Sequence, residues 1–219
     1  MEKLTLEKLK AATGEFVREL SRQAITKLYG TTDGKAVGTE IEKRFHAFLG
    51  KRFDYAEGSA ASGIDFPELG VDLKSTSIQQ PQSSSPFRDA SQKIYGLGYN
   101  LLVLVYEKTD DAKKRAAKLN IKHAVFVAKE QTADHQTTRG LLEIIANDGN
   151  VDDVDAFLED RNLPLDISSR RLLAERIFRE PPALGYLTIS NALQWRLQYA
   201  RIVNVAANGG TTGVEDLHG

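Results

Sequence analysis

Apolar residues recur at helical spacing through the first fifty positions. Leu6, Leu9, Phe16, Leu20, Ala24 and Leu28 predict a helix over Thr5 to Leu28. The glycine-bounded stretch Gly30 to Gly34 ends it as a loop. Val37, Ile41, Phe45, Phe48 and Leu49 form the apolar stripe of a second helix, stopped by Gly50. The pattern then shortens to that of strands. Arg52 to Tyr55 is a weak one, and Gly63 to Phe66 with Gly70 to Thr76 predict a hairpin turned by Pro67 and Gly70. Ser77 to Pro86 is polar and reads as a loop, and Phe87 to Leu97 reads as a helix. Asn100 to Tyr106 is a continuous apolar run of the kind a buried strand shows, and Ile121 to Ala128 is another strand. The charged connector Glu107 to Asn120 is expected to be partly helical. Helices are expected near Thr138 to Ala146, Val151 to Glu159, Ser168 to Arg179 and Ile189 to Val203, with Pro181-Pro182 breaking the chain between the last two. The glycine-rich tail, Asn208 to Gly219, is expected to fray.

This order predicts an α/β fold, a mixed β-sheet flanked by helices with a mainly helical C-terminal part. The expected organisation is a core with an N-terminal helix over residues 1–135, and a helical subdomain over 136–219 packed on it. A chain of 219 residues can bury one sizeable core, and 41% hydrophobic with 27% charged residues argues against disorder. Cysteine is absent, which excludes disulfides and thiolate-held zinc. No apolar run approaches the roughly 20 residues of a membrane span, and the N-terminus lacks a signal-peptide core, so a cytoplasmic protein without a membrane partner is expected.

Net charge is -1, but its distribution is uneven. Every lysine lies at or before Lys129. From Arg161 to Arg201 seven arginines stand against three acids, Asp166, Glu175 and Glu180. Guanidinium forks suit phosphates and guanine edges. The competing reading is a set of amphipathic helices with solvated arginine faces.

The stretch Asp65-Phe66-Pro67-Glu68-Leu69-Gly70-Val71-Asp72-Leu73-Lys74 concentrates the chemistry. Alternation along a strand puts Asp72, Lys74 and Thr76 on one side and Val71, Leu73 and Ser75 on the other. Closing the turn brings Asp65 opposite Asp72. Two carboxylates and an ammonium then share a small volume. That set suits phosphodiester hydrolysis: the carboxylates can hold magnesium, and the lysine can position water or stabilise negative charge. Without metal the carboxylates repel, and one pKa is expected to rise. Asp33-Gly34-Lys35 and Asp111-Ala112-Lys113 share the acid-x-Lys spacing but lack a second acid across a turn. The competing reading is a surface hairpin with an exposed ion pair.

Asp-x6-Asp-x-Lys on a hairpin, after a helix bearing Glu, resembles the PD-(D/E)xK nuclease superfamily. The active-site segment is most similar to that of the MutH mismatch-repair nickase and its restriction-enzyme relatives. Asp72 stands where that group usually has Glu. The resemblance covers about Val37 to Tyr106. It implies a restriction-endonuclease-like fold, and metal binding by Asp65, Asp72 and the Leu73 carbonyl. The cofactor implied is Mg²⁺, for which Mn²⁺ can substitute. It further implies that Lys74 orients or activates water, and that Glu42, four residues past Gly38, assists. Helical geometry sets Glu42 closer to the apolar stripe than Glu40, while a solvated helix acid is the competing reading. In this fold Gln92 and Lys93 can reach phosphate, against the plainer reading of ordinary surface.

Other candidates are weaker. His46, His123, His135 and His218 show no zinc-ligand spacing; His46 and His123 read as structural, and a histidine-based HNH nuclease is disfavoured. There is no serine-nucleophile context and no phosphate loop, hence no nucleotide cofactor. Gln79, Gln80 and Gln82 can read adenine but also suit a linker. Trp195 reads as core, and Arg196 and Arg201 as candidates for phosphate contact. The expected function is a type II restriction endonuclease on double-stranded DNA, acting as a homodimer. The alternatives are a MutH-like repair nickase and a DNA-binding module with an inactive nuclease fold.

Overall fold

Leu101 to Tyr106 is apolar at every position because the strand that carries it is covered on both faces. In the computed structural model, which describes residues 1–58, 63–85, 89–190 and 196–218, that strand lies inside a mixed sheet. In chain order the elements are β1 (Glu2–Lys3), α1 (Leu6–Leu20), α2 (Gly34–Gly50), β2 (Phe53–Asp54), β3 (Val71–Ser77), β4 (Gln82–Ser84), α3 (Gln92–Tyr95) and β5 (Asn100–Asp111). There follow β6 (Ala116–Val127), α4 (His135–Ala146), α5 (Val151–Asp160), α6 (Ile167–Arg179), β7 (Thr188–Ile189), β8 (Arg196–Gln198), α7 (Ala200–Ala207) and β9 (Val214–Asp216).

The main sheet runs β3-β5-β6-β9, with β3 parallel to β5 and the other pairs antiparallel. Leu102, Leu104 and Tyr106 face a core built with α1 and α2. Leu101, Val103 and Val105 face a second core that holds Tyr199, Leu197 and the apolar side of α7. A third cluster joins α3 to α4, α5 and α6. A smaller antiparallel sheet, β4-β8-β7, packs through Leu197 and Ile189 into the second core. The α/β architecture with helices flanking a mixed sheet is the expected one. Among the described residues no helix is long and apolar enough to cross a membrane.

Several local expectations are corrected. The first helix stops at Leu20, because Ile25 leaves it to exchange backbone hydrogen bonds with Ala117 (2.8 and 3.0 Å). The connector Glu107 to Asn120 is not helical: β5 and β6 continue through it as a hairpin, Glu107 opposite Asn120 and Asp111 opposite Ala116. Ala117, Leu119 and Ile121 supply the buried side that the surrounding charges obscured. The expected helix from Phe87 shrinks to Gln92–Tyr95 and ends at Gly96, whose φ is +86°; residues 86–88 lie outside the described residues. Of the first hairpin strand, Phe66 pairs as a bridge to Val71, the only bridge it makes among the described residues. The helix expected over Ile189 to Val203 is instead β7, β8 and α7, while Trp195 lies outside the described residues. The tail does not fray throughout, since β9 hydrogen-bonds to β6. The described residues of 136–219 therefore carry most of α4 and all of α5 to α7, plus three short strands, one of them in the main sheet.

Candidate active site

β3 is an edge strand of the main sheet, and its alternation sets the site. Val71 and Leu73 turn into the core with α1 and α2. Asp72 and Lys74 take the opposite face, in register with Leu101 and Val103. Phe66 and Val71 exchange two backbone hydrogen bonds, 2.9 and 3.2 Å long, around a 3₁₀ turn at Pro67–Leu69. Gly70 closes the turn in the left-handed region (φ +59°, ψ 43°), where a side chain is penalised. Its carbonyl is held by the backbone N–H and side-chain amide of Asn100 (2.8 and 3.1 Å). Gly70→Ala should therefore destabilise the fold by about 1 kcal/mol through backbone strain alone, as nothing crowds the missing Cβ. Equilibrium denaturation measures this loss.

The tight turn returns Asp65 to the start of β3. The Leu73 backbone N–H donates to Asp65 Oδ2 at 2.7 Å. Asp72 is only 3% exposed, and its Oδ2 lies 2.7 Å from Lys74 Nζ. One ammonium cannot neutralise two carboxylates. Burial pushes the Asp72 carboxyl up to about 7, against the opposing pull of Lys74, and the hydrogen bond and negative charge of Asp65 add to the rise. The carboxylate repulsion expected from the sequence thus falls on Asp72. Burial alone would lower Lys74, but Asp72, Asp65 and Tyr99 outweigh it and hold the ammonium above its ordinary value.

Glu42 reaches the same region from α2. A carboxylate oxygen of Glu42, one of Asp65 and a ring nitrogen of His46 lie within 4.8 Å of one another. Burial and the nearby Asp65 raise the Glu42 carboxyl, while His46 and Lys74 oppose the rise. Glu42 is not the acid nearer the apolar stripe. Glu40 is the buried one, 6% exposed, and is held by Lys27 (2.9 Å) and Arg44 (2.8 Å), whereas Glu42 is exposed on the side toward Asp65. His46 is the residue that sequence reasoning missed. Its i, i+4 spacing from Glu42 was available, but its apolar surroundings masked it: the ring stacks on Phe66 and Tyr55, and Nδ1 lies 2.9 Å from the Tyr55 hydroxyl. Carboxylate oxygens of Glu42 and Asp65 lie within 4.8 Å of each other, and Asp72 hydrogen-bonds to Asp65, so the residues present offer the oxygen donors that a hard divalent cation takes.

The two other acid-x-Lys triplets have local duties. Asp33 caps α2 by accepting from the Lys35 N–H (2.9 Å), and Asp111 accepts from the Lys113 and Lys114 N–H groups (2.9 and 3.1 Å) at the β5-β6 turn.

A cavity of about 800 Å³ opens beside β3. Glu42, Leu73 and Lys74 line one part of it, Lys35 and Thr39 of α2 another, and Gln80, Gln82, Ser84 and Arg196 the far side. Behind that far side the fully buried Tyr199 has its hydroxyl 2.5 Å from Ser83 Oγ. Burial raises the Tyr199 phenol, Ser83 opposes the rise, and Asp72 adds to it.

The expected DNA contacts separate. Arg196 is exposed at the cavity. Arg201 is half-buried, and its Nε finds no hydrogen-bond partner among the described residues. Gln92 donates to the Leu97 carbonyl (3.0 Å), and neither it nor Lys93 lines the cavity. Lys93 is 3% exposed; burial lowers its ammonium, with Asp134 opposing. Three of the seven C-terminal arginines are engaged with acids. Arg170 pairs with Asp155 (2.9 Å) and Glu159 (3.3 Å), Arg171 with Asp152, and Arg176 with Glu180 (3.3 Å) while lying over the Tyr95 ring.

Comparison with known proteins bears on what this arrangement is for. The family described as type II restriction enzyme NspV matches residues 3–216 of the chain. A type II restriction enzyme, NspV, of Nostoc sp. is 53% identical over 203 residues, which cover 93% of this chain and 92% of that protein. No solved structure matches.

Proposed function

The chain belongs to the type II restriction enzyme NspV family, and from that premise we propose that it is a type II restriction endonuclease of the PD-(D/E)xK superfamily. Its substrate would be double-stranded DNA, cut by Mg²⁺-dependent hydrolysis of phosphodiester bonds. The observation that carries this reading is the convergence of Asp65, Asp72, Lys74 and Glu42 beside one cavity, with cationic side chains on its other walls.

Asp65 and Asp72 would hold the metal, with the Leu73 carbonyl as a third ligand and Glu42 and His46 close by. Bound there, magnesium supplies charge neutralisation at the phosphoryl oxygen and a lowered pKa for water. The chain's own residues do the rest. Asp72 would hold the cation in its carboxylate form, and the positive charge there would favour that form against burial. The Leu73 N–H fixes the orientation of Asp65. Lys74, kept protonated by the carboxylates, orients the attacking water and offsets the charge that grows on phosphate. Glu42 adds a further carboxylate within reach of the same site.

The division of labour proposed is catalysis by residues 1–135, with 136–219 adding substrate contacts through Arg196 and, less directly, Arg201. A homodimer would match the twofold symmetry of short palindromic sites. The proposed location is the cytoplasm, where the DNA to be cut would be.

The test is digestion of several unmethylated supercoiled DNAs with magnesium or manganese, beside Lys74→Ala. Discrete bands are expected from the parent, with cutting slowed by about 10²-fold in Lys74→Ala. Nicked circles without linear product would replace this reading with a strand-nicking one. Tight DNA binding with no cleavage in either metal would replace it with a binding module.

A further inference from the structure

The small sheet β4-β8-β7 has one apolar face and one polar face, and only the polar one points away from the core. In β8 the order is exposed Arg196, buried Leu197, exposed Gln198. Residues directly opposite in a ladder share a face. Register therefore puts Ser84 beside Arg196, Gln82 beside Gln198, and Thr188 of β7 on the other flank of Gln198. Ser83 and Ile189 fall on the inner side with Leu197. The resulting outer face presents Gln82, Ser84, Thr188, Arg196 and Gln198, with no acid among them. Among the described residues the side chains of Gln82, Ser84, Arg196 and Gln198 make no hydrogen bond or ion pair. That sets Arg196 apart from the arginines of α6 that pair with acids of α5.

Three of these residues, Gln82, Ser84 and Arg196, line the cavity that also holds Glu42 and Lys74. An antiparallel ribbon is narrow enough to enter the major groove of B-form DNA. Its polar inventory is the one that groove is read with. A guanidinium fork matches the two acceptors of guanine, and a carboxamide matches the donor and acceptor of adenine. The sequence offered the glutamines as linker residues and Arg196 as a phosphate contact; only the strand pairing puts them on one surface.

We propose that the outer face of β4-β8 reads base edges in the major groove, Arg196 a guanine and Gln82 an adenine, next to the bond to be cut. The inference rests on the endonuclease reading and names the specificity residues within it. In consequence the recognised sequence contains a G·C pair and an A·T pair close to the scissile phosphate. A single bidentate contact discriminates its base by about 5- to 150-fold.

The experiment is selection from a duplex DNA pool with a randomised centre, using the full chain in calcium. The same DNAs are then cut in magnesium. Wild type is compared with Arg196→Ala, Arg196→Lys and Gln82→Ala, each first matched to wild type by thermal melting. Truncation of Gln82 is not expected to disturb the fold, because its links to Thr76 are through its backbone. Wild type should enrich one motif. Arg196→Ala and Arg196→Lys should both lose about 5- to 150-fold discrimination at one G·C pair and keep the rest of the motif. Gln82→Ala should do the same at one A·T pair. A uniform loss of affinity with the motif intact, restored by lysine at 196, would make Arg196 a phosphate contact and overturn the proposal. An unchanged motif at unchanged affinity would overturn it too. If wild type enriches and cuts one motif whatever the variants do, the endonuclease reading stands apart from the fate of the ribbon. If wild type neither enriches nor cuts, both fall.

Discussion

Asp72→Asn should leave a folded protein that still binds DNA and no longer cuts it, with turnover lowered by about 10³-fold or more. The substitution keeps the shape of a side chain that is 3% exposed, so no cavity opens in the sheet edge. It keeps an oxygen toward Lys74, which at 2.7 Å is the ammonium's nearest ion-pair partner. What it removes is the charge. An amide cannot join Asp65 in holding a divalent cation as a second anionic ligand, and it cannot release a proton when the cation arrives. Affinity for DNA should be equal or higher, because a carboxylate facing phosphate repels it. Single-turnover cleavage beside a gel-shift titration measures the two effects separately. Cleavage at the parent's rate would remove Asp72 from the catalytic set. Joint loss of folding and binding would give it a structural role instead. Alanine is the poorer test, as it leaves Lys74 partly buried with only Asp65 to balance it.

The second large effect is a dependence of stability on pH that a divalent cation should erase. Asp72 has a carboxyl raised from 3.8 to about 7 in the folded protein. Between these values the folded protein keeps a proton that the unfolded chain has released. Its contribution to stability is therefore complete below the unfolded pKa and is lost as pH rises through 7, the reverse of the usual salt-bridged aspartate. For a shift of this size the loss from acid to alkaline pH is on the order of 2–4 kcal/mol, or roughly 5–10 °C in melting temperature for a chain of this length. Metal-free protein should melt lower at pH 8 than at pH 6. Magnesium or calcium should raise the midpoint more at pH 8, where it replaces the lost proton as the neutralising charge. In Asp72→Asn both the pH slope and its cation sensitivity should flatten. A melting temperature that rises from pH 6 to pH 8 without metal would mean that Asp72 is ionised throughout, and that Lys74 outweighs its burial.

These two effects meet at a site built for imbalance. Glu40, one turn before Arg44, shows the alternative within the same helix. It is 6% exposed, but two cations flank it and hold its carboxyl low despite burial. Asp72 shares one cation with Asp65. Two things separate the two acids: Asp72 is the more deeply buried, and it has one cation and a second acid beside it where Glu40 has two cations.

What the sequence determined by itself is local. Alternation over Val71 to Lys74 put Asp72 and Lys74 on one face, and Pro67 with Gly70 marked the turn that returns Asp65 to them. Both signals are carried by neighbours in the chain, so periodicity and turn chemistry suffice to read them. The apolar run at Leu101 likewise declared a strand covered on both faces. Only the tertiary structure decided the rest. The pairing of Ser83 with Tyr199 spans 116 residues, and nothing in either segment announces the other. That pairing turned an expected linker and an expected helix into the two strands of one ribbon. Helical phase set Glu42 nearer the apolar stripe, yet Glu40 is the buried one, because the side on which Lys27 approaches is set by the packing of another segment. Lys93 read as surface and is buried, since α4 closes over it through Asp134. His46 came within reach of two carboxylates because the hairpin folds back onto α2. Side-chain periodicity reports which face of an element is covered; what covers it depends on contacts between distant segments, whose free energy appears only once the chain has closed on itself.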